Sequence, residues 1–141
     1  MEKIINKDLS QFRRLLYSDS PSYSGIVAGD CKGDVWVDNI LNPTLALVYS
    51  FAVGGYSIMG DTSDVTVYSD FLDFLRQKLF VELKSKGVDC FEFSVENKKT
   101  EDHILKLFSN ESMNKEYEYS YRKSCYNKIK EINQYNIIPV D

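Results

Sequence analysis

Between Asp38 and Asp61 the chain carries no charged residue. A stretch of this length without Lys, Arg, Asp or Glu belongs at the centre of a covered sheet or in a bilayer, and its internal pattern decides which. It divides into two apolar runs, Thr44 to Val53 and Tyr56 to Met59, parted by Gly54-Gly55 and emptied into the polar turn Gly60-Asp61-Thr62-Ser63-Asp64. Asn39, Asn42, Pro43, Ser50 and Ser57 interrupt it, and no Lys or Arg flanks it. Aromatic and β-branched runs broken at paired glycines are a hairpin signal, so the expectation is a central hairpin and no membrane span. In the first run Leu45, Leu47, Tyr49, Phe51 and Val53 fall on one face and Ala46, Val48, Ser50 and Ala52 on the other. Neither face is polar, which predicts cover on both sides, with a helix packed closely over the small one.

The flanking segments supply that cover. Asp8 to Tyr17 places Leu9, Phe12 and Leu16 on one helical face with Arg13 and Arg14 turned outward. Ser20-Pro21 offers an N-cap followed by proline at the first helical position, predicting a second helix from Pro21 to Ala28 that stops at Gly29. Gly33 opens a strand through Val35 and Val37. After the polar turn, Phe71, Phe74, Leu75, Leu79 and Leu83 recur at three- and four-residue spacing, predicting one main helix from Val65 to Lys86 that ends at Gly87.

Further on, Cys90 to Val95 alternates as a half-buried strand, with Phe91, Phe93 and Val95 against Cys90, Glu92 and Ser94. Thr100-Glu101-Asp102 leads into a short helix through Ile104, Leu105 and Leu107-Phe108. Glu116 to Arg122 alternates again, with Tyr117, Tyr119 and Tyr121 on one side. A last helix is expected over Tyr126 to Tyr135, before the tail Asn136 to Asp141.

Composition removes several function classes. A net charge of -4 with scattered Lys and Arg gives no phosphate-binding surface, so no nucleic-acid partner is expected. Cys31, Cys90 and Cys125 form no C-x-x-C pair and His103 is the only histidine, so no metal site is expected. Reduced thiols and an N-terminus without an apolar run point to a cytoplasmic protein. The 141 residues read as a single domain.

The order helix, helix, three strands, long helix, strand, short helix, strand resembles the core of the GCN5-related N-acetyltransferase (GNAT) superfamily. Within it, Asp38-Asn39 closing a strand, Asn42-Pro43-Thr44-Leu45-Ala46-Leu47-Val48 opening the next and Met59-Gly60-Asp61 ending the third are similar to the N-terminal half-domain of the zwittermicin A resistance branch. Ile138-Pro139-Val140-Asp141 is similar to the segment that enters the second half of those proteins, so residues 135–141 read as the start of a linker or strand into a missing half. The resemblance implies an α/β fold: a GNAT-like mixed, mostly antiparallel central sheet with helices on both faces. It also implies acetyl-CoA bound in a missing C-terminal half, a small amine as substrate, and the second half-domain or a second copy of this chain as partner.

One departure stands out. Active members lead from the central strand into an Arg/Gln-x-x-Gly-x-Gly/Ala loop whose amides face the CoA pyrophosphate. Here that place holds Gly60-Asp61-Thr62-Ser63-Asp64, so no cofactor is expected in this chain. Asp38, Asp61, Asp64 and Tyr56 are the candidate substrate contacts. The three carboxylates have competing structural roles: helix-start acids for Asp61 and Asp64, a turn-forming carboxylate for Asp38. His103, Cys90 and the tyrosine row read as a surface histidine, an inert thiol and core, and no catalytic residue is assigned. The expected function is the non-CoA-binding half of an N-acetyltransferase, shaping the acceptor cleft and packing against its other half. A catalytically inactive binding or dimerisation module is the alternative, and an unrelated mixed α/β domain stays open.

Overall fold

The computed structural model describes residues 1–5, 9, 15, 21–95, 98–110 and 112–116. Five strands form one sheet in the order β1-β2-β3-β4-β5: Glu2–Lys3, Gly33–Val37, Leu45–Ser50, Tyr56–Gly60 and Phe93–Val95. All neighbours run antiparallel except β4 and β5, which pair in parallel through Tyr56↔Phe93 and Ile58↔Val95. A parallel pair needs a crossover, and a long helical rod provides it. The fold is thus a mixed, mostly antiparallel α/β sheet with helices on both faces.

The central strand β3 sorts its side chains as its alternation predicts. Ala46 and Val48 share one core with Val35, Val37 and Met59, closed by Tyr23, Ile26 and Val27 of α1 (Pro21–Ala28). Leu45 and Leu47 share the other with Ile58, Phe71, Leu75, Leu79 and Ile104. The small face therefore carries the close-packed helix, as anticipated from residue size. Gly29, in left-handed conformation at φ 84°, ends α1.

Five features depart from the sequence-based expectation, one being the edge strand β1, which pairs with Val37 and Trp36 of β2 and has no counterpart in the expected order. The first run ends as a strand at Ser50 rather than Val53, because Gly54 N donates to Ser50 O at 2.8 Å and Ser50 N to Gly55 O at 3.0 Å. Phe51 and Val53 consequently sit in the turn, 55% and 46% exposed. The main helix is one rod in three parts, α2 (Val65–Phe74), a π-helical segment (Leu75–Leu79) and α3 (Phe80–Ser85). Phe80 N donates to Leu75 O, and this wider turn keeps Phe71, Leu75 and Leu79, spaced by four, all on the sheet.

The fifth strand begins at Phe93 rather than Cys90, because β4 begins only at Tyr56, the partner of Phe93, which leaves Cys90 exposed. Finally, α4 (Lys98–Leu107) starts two residues ahead of Thr100. The helix expected over Asp8 to Tyr17 lies outside the described residues apart from Leu9 and Leu15, which pack against the α1-side core. The strand from Glu116 with its tyrosine row, the helix Tyr126 to Tyr135 and the tail 135–141 also lie outside them, Glu116 alone excepted. Among the described residues no helix is long and apolar enough to cross a membrane.

Candidate functional site

The C-terminal ends of β2, β4 and β5 share one end of the sheet with the start of β3, and a groove of about 350 Å³ opens there. Asp38, Thr44, Asp61, Asp64 and Asp70 are among the residues that line it. The fold thus brings together three of the four candidate contacts. Tyr56 starts β4 at the opposite end of the sheet. It is 7% exposed, ringed by Tyr49 at 4.6 Å and Phe91 at 5.0 Å, and burial pushes its phenol up to about 12.

Three of the four groove carboxylates are held by their own local chain, and Asp61 also faces Lys99 Nζ at 3.9 Å. Asp38 Oδ1 accepts from the amides of Thr44 (2.9 Å) and Leu45 (3.0 Å), and Oδ2 from Thr44 Oγ1 (2.7 Å). That closes the loop between β2 and β3, the turn-forming role anticipated for it. Asp61 Oδ1 accepts from Ser63 N at 2.9 Å and from the Ser63 hydroxyl. Those bonds, with the positive field of Lys99 and His103, hold its carboxyl below the usual range. Asp64 caps α2, its Oδ1 accepting from Thr66 N (2.9 Å) and Val67 N (3.1 Å).

Asp70 was missed as a candidate, although its position carried a signal. It stands six residues after the Asp64 cap and three after Val67, on the same helical face. The Asp70 carboxylate and the second oxygens of Asp61 and Asp64 receive no hydrogen bond from the described residues. The groove therefore offers acceptors and negative charge, a setting for a cationic group. It offers an anion little, since the amides of Ser63, Thr66 and Val67 already serve the protein's own carboxylates.

The backbone beneath the groove has a steric requirement. Gly60 lies at φ 101°, where a Cβ would stand 2.1 Å from Thr44 O, so β4 reaches Asp61 only through glycine. Asp61 N then donates to Thr44 O at 2.9 Å.

Helix α4 grips the same loop from the other side. Thr100 Oγ1 donates to Gly60 O at 3.1 Å, Lys99 reaches the Ser63 hydroxyl, and His103 Nδ1 lies 2.8 Å from Thr62 Oγ1. Tyr68 adds a hydroxyl donated to His103 O at 2.8 Å and a ring 5.8 Å from the imidazole. His103 is thus a half-buried partner of Thr62 rather than a surface residue, a correction that follows from the crossover rod placing α4 beside the loop. Cys31 and Cys90 are unbonded, and no cluster among the described residues is suited to a metal ion.

No protein-family profile matches the chain, and no curated protein matches it significantly in sequence.

Proposed function

We propose that this chain is the N-terminal, non-CoA-binding half of an acyl-CoA-dependent N-acetyltransferase of the GCN5-related superfamily, shaping the acceptor-amine cleft and packing against a second half. The strands β2, β3 and β4, the long crossover rod, the parallel β5 and the short α4 follow the layout on which the resemblance rests, and β1 adds an edge strand to it.

One observation carries the reading. At the end of β4, where the superfamily grips pyrophosphate, the leading amides of α2 are occupied by Asp64's own carboxylate. A phosphate entering there displaces Asp64 and faces Asp61 and Asp70. Two unit charges at 4 Å repel by about 1 kcal/mol in water and about 4 kcal/mol at the effective dielectric of a protein surface. Acetyl-CoA accordingly belongs to the other half, while the same carboxylates attract a protonated amine. In the transfer step a base takes a proton from the bound ammonium, the neutral amine attacks the thioester carbonyl, the C–S bond breaks as the amide forms, and the CoA thiolate leaves and takes up the proton lost from nitrogen. Leu41 and Val65, 86% and 81% exposed and adjoining the groove-lining Asn42 and Asp64, give the rim apolar contact area for the second half.

Calorimetric titration of acetyl-CoA into this chain tests the first claim: no binding is expected, and millimolar or tighter binding overturns it. The half-enzyme claim is tested separately by the coding sequence. A reading frame continuing past Asp141 into an Arg/Gln-x-x-Gly-x-Gly/Ala segment supports it, whereas a stop codon there favours the inactive binding or dimerisation module.

A further inference from the structure

We draw no further inference here: the strongest candidate, the contact between buried Thr62 and His103 where the loop after β4 meets α4, belongs to the packing that holds the loop of the site already described.

Discussion

Thr62, 2% exposed, places its hydroxyl 2.8 Å from His103 Nδ1 and ties the loop after β4 to α4 across 41 positions of chain. One group donates and the other accepts, according to the ring tautomer, and losing either leaves the other short of a partner. Thr62→Val is expected to cost about 1–2 kcal/mol in urea unfolding. A double-mutant cycle with His103→Phe should show coupling of about 1 kcal/mol, and strictly additive effects would contradict the contact.

Two glycines with positive φ should respond differently to alanine. At Gly54, φ 80°, an added Cβ meets nothing within 4 Å, so only the left-handed backbone is penalised, by about 1–2 kcal/mol. At Gly60 the Cβ would also meet Thr44 O at 2.1 Å. Gly60→Ala should therefore cost more than about 4 kcal/mol and leave little folded protein. Thermal melts of the two variants side by side check the ranking, and equal melting temperatures would refute it.

Asp64 is both the cap of α2 and a wall of the groove. Asp64→Ala should lose about 1 kcal/mol of stability, while Asp64→Asn, which keeps the accepting oxygen, should lose less. Denaturant midpoints distinguish the two; a larger loss in the asparagine variant would argue against the capping role.

Tyr56 makes a prediction at high pH. Burial, followed by the field of Tyr49, raises its phenol from 10.0 to about 12, so folding favours the neutral form. A group whose value is raised on folding contributes stability that is complete below its unfolded value and lost as pH climbs through the folded one. The protein should therefore weaken progressively between pH 10 and about 12. Tyr56→Phe, which has no phenol to ionise, should retain more of its neutral-pH stability across that interval. Circular dichroism melts against pH provide the measurement, and identical profiles for the two proteins would refute the assignment.

Much of the fold was legible because it depends on near neighbours in sequence. The alternation through Leu45 to Ser50 assigned Leu45 and Leu47 to one core and Ala46 and Val48 to the other. Pro21 and Gly29 bounded α1, Gly87 followed the long rod, and Asp64 was legible as an acid at its start. Strand ends were less legible because a partner sets them. Phe93 begins β5 where Tyr56 gives it something to pair with, and Ser50 ends β3 where the turn's hydrogen bonds take over. The π-helical segment also escaped notice, since four-residue spacing at Phe71, Leu75 and Leu79 is common to α-helices and to wider turns.

The sequence alone determined the two-faced central strand, the bounds of α1, the helix start after Asp64 and the turn-forming role of Asp38, because capping and alternation act within a few residues. Only the tertiary structure gathered Asp38, Asp61, Asp64 and Asp70 around one groove, buried Tyr56 at the other end of the sheet and set Thr62 against His103. Those relationships follow from antiparallel register between β2, β3 and β4, and from a crossover rod that returns the chain parallel to β4. Side chains far apart in sequence meet only once those pairings have been chosen, and the pairings are chosen by burying both faces of the sheet together.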